Sequence, residues 1–195
     1  MNTIKIIGVG RMGSSIAYTL MLGPHDLDIL LSEPLAENQK KAEAELWDLA
    51  PVAKATGNTI SLVPVGEQDY RCNLVIVTAG KARTSPEQTK HSLLKANQAI
   101  VEDATLFVPP STPIFIVTNP PIELARELRR RGHTNVIPLR KCTDKLRGKK
   151  VNEFVLVNKG HTMWTPAYAC AKEIINHMSK ELKASEQVKS EKRTR

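Results

Sequence analysis

The sequence predicts an α/β protein in which helices cover both faces of a parallel sheet. Segments such as Asn73–Thr78 and Pro113–Thr118 are almost entirely apolar, which is typical of strands buried on both faces. Segments with the helical spacing of apolar residues lie between these strands, and such alternation favours a parallel sheet. The first apolar run ends in a glycine-rich turn, Gly8–Gly13, from which a helix is expected to start.

The predicted elements follow one another regularly as far as Pro138. Turn residues and apolar periodicity set their limits. We expect strands at residues 3–7, 27–31, 59–63, 73–78, 113–118 and 135–137, helices at 11–22, 35–50 and 121–131, and a loop followed by a helix from Pro86 to about Val108. In a parallel sheet of this kind functional groups gather at the carboxyl ends of the strands.

The turn Gly8–Gly13 has the glycine spacing of a dinucleotide site. Gly8 would make the tight turn, Gly10 would let a pyrophosphate approach the backbone, and Gly13 would let the helix pack close to the strand. Glu33 lies at the end of the second strand, twenty residues past Gly13. Because an acidic residue there accepts hydrogen bonds from a ribose 2′-hydroxyl, we expect a Rossmann-type doubly wound sheet that binds NAD rather than NADP.

Composition excludes several other classes of protein. The chain has 195 residues and 41% hydrophobic content, enough for one α/β core. No apolar stretch is long enough to span a membrane, and the N-terminal apolar run is too short for a signal peptide. The three cysteines lack metal-ligand spacing, which favours a reduced compartment. We therefore expect a cytoplasmic protein without a bound metal.

The net charge of +8 is concentrated in three segments, residues 126–131, 140–150 and 180–195. A polyanion-binding surface and ordinary solvated charge both fit this distribution. No aromatic residues alternate with the charges, so base stacking has no support. Specific nucleic-acid binding is therefore not expected.

Several motifs in order resemble the lactate/malate dehydrogenase family. Val77-Thr78-Ala79-Gly80, followed by Lys81-Ala82-Arg83, is similar to the family's strand end and first substrate-loop arginine. Leu93-Leu94 with Asn97 resembles the next helix, and Val117-Thr118-Asn119-Pro120 resembles its Thr-Asn-Pro turn. Thr143–Arg147 keeps an Asp-x-x-Arg spacing, and Lys159–Trp164 resembles a late Lys-Gly-x-Thr-x-Trp segment.

The resemblance covers nearly all of residues 3–183 and implies a role for each matching position. It implies a Rossmann domain for NAD at 1–138 and a shortened substrate-domain remnant at 139–183. The composition of residues 184–195, rich in Lys, Glu and Ser, predicts a basic, disordered tail. The implied substrate contacts are Arg83, Asn119, Arg147 and Thr162. The implied cofactor contacts are Gly8, Gly10, Arg11, Met12, Gly13, Glu33, Thr78, Ala79, Gly80, Asn97, Val117 and Asn119. An arginine at position 83 favours a second carboxylate, hence malate over lactate.

The chain departs from the family pattern at the catalytic residues. The family's Gly-Glu-His-Gly-Asp segment, whose histidine takes the substrate proton, is missing, and only eleven residues separate Arg147 from Lys159. His161 is the leading substitute base, with Asp144 to orient it, since a histidine titrates near pH ~6.5. Lys159 is a second candidate. Lys90 occupies the position of the family's carbonyl-polarising arginine, and it lacks the planar guanidinium.

The last helix is expected to begin with Thr165 as N-cap and Pro166 in its first position. An apolar stripe follows, made of Ala171, Ile174, Ile175, Met178 and Leu182. This stripe either packs on the Rossmann core or is covered by a second subunit. Family members are usually dimers or tetramers, which favours a homo-oligomer.

Three functional hypotheses follow. The first is an NAD-dependent oxidoreductase that transfers hydride between NAD and a 2-hydroxy acid, with malate favoured. The second is a non-catalytic NAD-binding module, motivated by the missing histidine segment. The third is a basic interaction protein on a Rossmann scaffold, motivated by the net charge of +8.

Overall fold

The computed structural model describes residues 2–64, 72–82, 88–139, 149–159 and 163–193. In these residues a parallel sheet has the strand order β3-β2-β1-β4-β5-β6. The strands are β1 (Asn2–Ile7), β2 (Leu27–Ser32), β3 (Thr59–Leu62), β4 (Leu74–Val77), β5 (Ile114–Ile116) and β6 (Val136–Pro138). This order is that of a doubly wound dinucleotide-binding sheet, so the predicted fold class is confirmed.

Helices connect the strands and complete the chain. They are α1 (Arg11–Met21), α2 (Gln39–Ala55), α3 (Lys90–Thr105), α4 (Pro121–Arg130), α5 (Lys149–Lys159) and α6 (Trp164–Arg193), with a short 3₁₀ helix at Ala36–Asn38 before α2. No helix in the described residues combines the length and apolar character needed to cross a membrane.

Helix α2 begins and ends later than predicted. The predicted range ends at Ala50, and the next residue is Pro51, which disfavours helical conformation in the residue before it. The structure continues the helix through Pro51 to Ala55. The extra turn places Ala53 in the core, with Val52 packed against it. Tertiary packing therefore outweighs the local effect of the proline.

Helix α6 differs from prediction at both ends. It begins at Trp164, and the amide of Ala167 donates to the Met163 carbonyl at 2.9 Å, so Met163 and not Thr165 holds the capping position. Pro166 still lies in the first turn, where no backbone N–H is needed. The tail predicted as disordered is helical as far as Arg193. The Lys, Glu, Gln and Arg residues of this tail are good helix formers, and no glycine or proline lies within the tail.

The core has two halves, one on each face of the sheet. On one face α1, α2 and α6 pack against β1 and β2, through residues such as Ile4, Leu20, Leu49 and Ile174. On the other face α3 and α4 pack against β4 and β5. Both faces of the sheet are covered, as the apolar strands predicted.

The apolar stripe of α6 packs on the core beside α1. Ala171, Ile174 and Met178 are buried, whereas Leu182 is 39% exposed. The ring of His177 meets Phe115 of β5 edge-on, with 5.2 Å between centroids. His25, just after α1, and Ser179 approach to 3.2 Å between Nε2 and Oγ. Packing of this helix on the Rossmann core is confirmed.

Candidate functional site

The glycine turn between β1 and α1 combines two crowded glycines with one open glycine. Gly8 has φ +98°, and a Cβ there would collide with the backbone of Ala79. A Cβ on Gly13 would collide with the Gly8 carbonyl and lie 2.9 Å from Thr78 Oγ1. A Cβ on Gly10 would have no atom within 4 Å. Gly8 and Gly13 are required for packing, whereas the open space at Gly10 fits the close approach of a ligand.

Helix α1 directs its N-terminus at this open space. Gly10 is its N-cap residue and supplies no side-chain hydrogen bond, and the first turn holds no acidic residue. First-turn amides have no partners within a helix, and the helix dipole adds positive potential there. Arg11 and Met12 belong to this turn, so the turn can bind the anionic pyrophosphate of a dinucleotide.

Glu33 follows β2 at the edge of the same turn. Its Oε2 accepts a hydrogen bond from the Val9 amide at 3.0 Å, and its Oε1 accepts one from the Leu35 amide at 3.2 Å. A carboxylate has about four acceptor sites, so capacity for a ribose hydroxyl remains. The carboxylate predicted to read the ribose is thus anchored against the glycine turn.

The ends of β4 and β5 are tied to the glycine turn and to each other. Thr78 Oγ1 donates to the Gly8 carbonyl at 2.6 Å. Thr118 Oγ1 donates to the Ala79 carbonyl at 2.7 Å. Gly80 has φ +154°, and a Cβ on it would lie 2.5 Å from Thr118 Cγ2. Of the predicted cofactor positions, Thr78, Ala79 and Gly80 therefore share one edge with Gly8.

Asn97 lies fully buried beneath this edge. Its Oδ1 accepts from the Lys81 amide at 2.6 Å, and its Nδ2 donates to the carbonyls of Lys81 at 3.1 Å and of Asn119 at 2.7 Å. Both amide hydrogens are therefore used within the protein. The resemblance implies a cofactor contact for Asn97, and this role stays a prediction. In the structure its side chain holds the loops after β4 and β5.

Asn119 lies at the turn after β5, with a cis peptide bond to Pro120. Its side chain is exposed at the carboxyl edge of the sheet, where a substrate or nicotinamide could meet it. Val117 is only 2% exposed, and its amide donates to the Val77 carbonyl. Because its side chain is buried, Val117 could contact a cofactor mainly through its backbone.

Lys90 begins α3 and forms an ion pair with Glu123 in the first turn of α4, at 2.6 Å between Nζ and Oε1. The hydrogen bond from Lys90 lowers the pKa of the Glu123 carboxyl below its ordinary 4.5, against an opposing effect of burial. Glu123 is therefore an anion at neutral pH. The sequence identified Lys90 as a candidate site residue but gave no signal for Glu123, because the two residues are far apart in the chain and meet only after folding.

Five predicted site residues lie outside the described residues, namely Arg83, Asp144, Arg147, His161 and Thr162. Lys159, the second candidate base, is the exposed last residue of α5. In the described part of the chain, no cluster of three His, Cys, Asp or Glu side chains could hold a metal ion. Lys90 and most of the predicted cofactor positions therefore lie at the carboxyl edge of the sheet, and the roles of these residues and of the proton-transfer residues stay predictions.

The basic helix α4 has much of its charge engaged within the protein. Arg129 donates to the Val136 carbonyl, Arg130 pairs with Glu127 at 3.0 Å, and Arg131 pairs with Glu102 at 2.5 Å. These contacts give the arginines structural partners. The segment at 126–131 thus offers less free positive charge to a polyanion than its sequence suggests.

The strand order, the glycine turn at the carboxyl edge and Glu33 together define a dinucleotide-binding Rossmann domain. A sequence model of the lactate/malate dehydrogenase NAD-binding domain matches residues 2–135. The chain belongs to the lactate/malate dehydrogenase family, and this portion is its NAD-binding domain.

Individual relatives carry both names of the family. The chain is 30% identical over 132 residues to an L-lactate dehydrogenase of Nitratidesulfovibrio vulgaris strain DP4. The aligned region covers 67% of this chain and 41% of that protein. The chain is 32% identical over 123 residues to a malate dehydrogenase of Aliarcobacter butzleri, which covers 60% and 38%. The chain thus spans about two-fifths of the length of these curated relatives.

Solved structures agree on the fold. The malate dehydrogenase from Archaeoglobus fulgidus in complex with NADH matches with a TM-score of 0.68 and 21% identity, over 88% of this chain and 76% of that chain. The malate dehydrogenase from Aeropyrum pernix matches with a TM-score of 0.62 and 26% identity, over 82% and 52%. The Rossmann architecture and its continuation beyond residue 138 therefore have counterparts in known dehydrogenases.

Proposed function

We propose that this chain binds NAD(H) and transfers hydride between NAD and a 2-hydroxy acid, with malate the favoured substrate. The observation that carries the proposal is the dinucleotide site, in which Glu33 is anchored to the Val9 amide beside the open space at Gly10. Bound NAD would supply the hydride acceptor. The protein would hold the cofactor and the substrate and remove the hydroxyl proton.

The substrate residues come from the family pattern. Arg147 would clamp the substrate carboxylate, and a bidentate contact of this kind is strong and directional. Arg83 would recognise a second carboxylate, which favours malate or oxaloacetate. Asn119 and Thr162 would line the pocket, and Lys90 would stabilise the developing alkoxide.

His161, oriented by Asp144, would take the proton from the substrate hydroxyl. The test is NADH formation from NAD with malate, lactate and related 2-hydroxy acids, followed by absorbance. Malate-dependent turnover that is lost in His161→Asn supports the proposal. The matched control is His91→Gln, since His91 is an exposed histidine on α3 and should leave turnover unchanged. Wild-type protein that binds NADH and turns over none of these acids would overturn the catalytic part.

A non-catalytic NAD-binding module is the second candidate. It is favoured by the eleven-residue stretch between Arg147 and Lys159, which lacks the family's histidine segment. Titration with NADH, followed by quenching or shift of its fluorescence, separates the two candidates when run beside the absorbance assay. Binding without turnover favours the module, and absence of binding contradicts both.

Self-association is a further part of the proposal. Trp47 on α2 is 74% exposed, and Trp164 and Tyr168 on α6 are 63% and 51% exposed. Trp164 and Tyr168 lie one turn apart on α6, and contiguous exposed apolar patches often mark contacts between subunits. Sedimentation equilibrium tests for a homo-oligomer, and a monomer at assay concentrations would contradict it.

A further inference from the structure

The ion pair between Lys90 and Glu123 joins two helices that begin side by side at the carboxyl edge of the sheet. Helix α3 follows β4, helix α4 follows β5, and β4 and β5 are adjacent. The pair therefore lies at the same edge as the glycine turn and Asn119. The Lys90 side chain is 63% exposed and the Glu123 side chain 26% exposed, so the ammonium faces solvent while the carboxylate is partly enclosed.

Both partners are fixed relative to the Asn119 turn by backbone and side-chain hydrogen bonds. Glu123 lies four residues after Asn119, and the next residue, Leu124, donates its amide to the Pro120 carbonyl at 3.2 Å. Helix α3, which starts at Lys90, is attached to the same turn because Asn97 donates to the Asn119 carbonyl. The distance between the pair and the turn is thus set by the fold.

The placement of Lys90 is not explained by helix stability. A positive charge in the first turn of a helix opposes the helix dipole, whereas Glu123 in the first turn of α4 complements it. Thr89 already caps α3 by accepting from the Ser92 amide at 3.1 Å. Lys90 thus places a positive charge at the carboxyl edge of the sheet, although the dipole of α3 disfavours a positive charge there.

A lysine at this edge needs a partner if its charge is to be directed. Its ammonium is a point charge on a flexible stem, whereas an arginine presents a pre-organised fork. Glu123 Oε1 supplies one fixed acceptor, and Glu123 Oε2 is buried without a hydrogen-bond partner among the described residues. A carboxylate held in this way restricts where the ammonium can lie.

We propose that Glu123 is a positioning residue that holds the Lys90 ammonium beside the Asn119 turn, where the carbonyl of a 2-keto acid would meet it. The inference rests on the proposed function and adds a residue that the family resemblance does not supply. Two of the three ammonium hydrogens remain for substrate and water while the third is held by Glu123.

The test compares Glu123→Gln with Glu127→Gln in the full chain. Glu127 is a matched control because it lies one turn further along α4, is also 26% exposed and pairs with an exposed cation, Arg130.

NADH affinity is measured first by fluorescence. The affinity of the NADH complex for oxamate, a non-reactive 2-keto acid analogue, is measured second. We expect Glu123→Gln to lower the affinity of the NADH complex for oxamate about three- to fivefold and to leave NADH affinity unchanged. A change of this size lies within the range of an exposed ion pair. Glu127→Gln should change neither.

Thermal unfolding of Glu123→Gln and Glu127→Gln separates positioning from simple stabilisation, because the two ion pairs have similar exposed fractions. Similar stability of the two variants, with oxamate affinity lowered only in Glu123→Gln, supports positioning. An unchanged oxamate affinity in Glu123→Gln, or an equal loss of affinity in Glu127→Gln, would overturn the inference. A wild-type NADH complex that fails to bind oxamate would overturn it as well. Failure of the wild type to bind NADH would instead overturn the proposed function, so the two failures are distinguishable.

Discussion

The side-chain amide of Asn97 donates a hydrogen bond of 2.7 Å to the backbone carbonyl of Asn119, joining the middle of α3 to the turn after β5. The same side chain holds both the amide and the carbonyl of Lys81 after β4. One fully buried amide therefore fixes two loops of the candidate site at once. Hydrogen bonds of this kind matter chiefly because their loss leaves buried groups unsatisfied.

Replacement of Asn97 with alanine should lower both stability and cofactor affinity. The loss removes three part-buried hydrogen bonds, to the Lys81 amide and to the carbonyls of Lys81 and Asn119, each with a net contribution of about 0.5–1.5 kcal/mol. Urea unfolding measures the free energy, and NADH titration measures the affinity. The neighbouring Gln98→Ala removes a pair with Glu102 on the helix surface and should cost about 0.5 kcal/mol or less. Equal effects of the two variants would contradict the assignment.

Alanine at Gly10 and at Gly13 should give opposite phenotypes. Gly10→Ala adds a Cβ in open space, so the protein should keep its stability while a methyl group obstructs the pyrophosphate and NADH affinity falls. Gly13→Ala forces α1 away from the Gly8 carbonyl and should cost about 1–3 kcal/mol or more in unfolding free energy. Thermal unfolding and NADH titration together test the pair. Normal NADH affinity in Gly10→Ala would argue against a ligand at that position.

Glu33→Gln should reduce the preference for NADH over NADPH. The carboxylate repels a 2′-phosphate and accepts strongly from a 2′-hydroxyl, and the amide does neither as well. The dissociation constant for NADPH divided by that for NADH should fall about tenfold. A change of this size is expected for the loss of a charge-assisted hydrogen bond of about 1.5–3 kcal/mol. Fluorescence titration with each cofactor gives the ratio. Glu37→Gln, an exposed acid in the 3₁₀ turn, is the control and should leave it unchanged.

The packed face of α6 should be essential to stability. Ile174→Ala should destabilise the protein by about 2–5 kcal/mol, since Ile174 is fully buried in the core beside α1 and β1. Leu182→Ala, at a side chain that is 39% exposed, should cost less than about 1 kcal/mol. Urea unfolding of both variants tests the contrast, and a small effect at Ile174 would mean that α6 contributes little to the folded core.

Acid should destabilise the protein in part through His133. Burial lowers the pKa of His133 below its ordinary 6.5, and its Nδ1 is buried without a partner among the described residues. Below pH 6.5 the unfolded chain therefore binds a proton that the folded chain does not, and the free energy of unfolding decreases as pH falls. His133→Gln should flatten this part of the profile, measured by urea unfolding at a series of pH values. His91→Gln, at an exposed position, should leave the slope unchanged.

The sequence predicted the parts of the molecule that local patterns determine. Residues such as Leu74–Val77 and Ile114–Ile116 are buried on both faces and were expected as strands, and the glycine turn with Glu33 was expected as a dinucleotide site. The pairing of Lys90 with Glu123 and the use of Asn97 as a structural clamp depend on where two loops meet after folding. No local spacing encodes such contacts. The extension of α2 past Pro51 likewise depends on the burial of Ala53.

The contact between His25 and Ser179 joins positions 154 residues apart, near the two ends of the described fold. Because α6 packs beside α1, this part of the core depends on contacts between segments far apart in sequence, and such non-local contacts slow folding. The part of the α1 surface that packs against α6 stays uncovered until α6 has been synthesised. A chain that ends before Trp164 would therefore leave this apolar surface exposed, and exposed apolar surface of this kind favours aggregation.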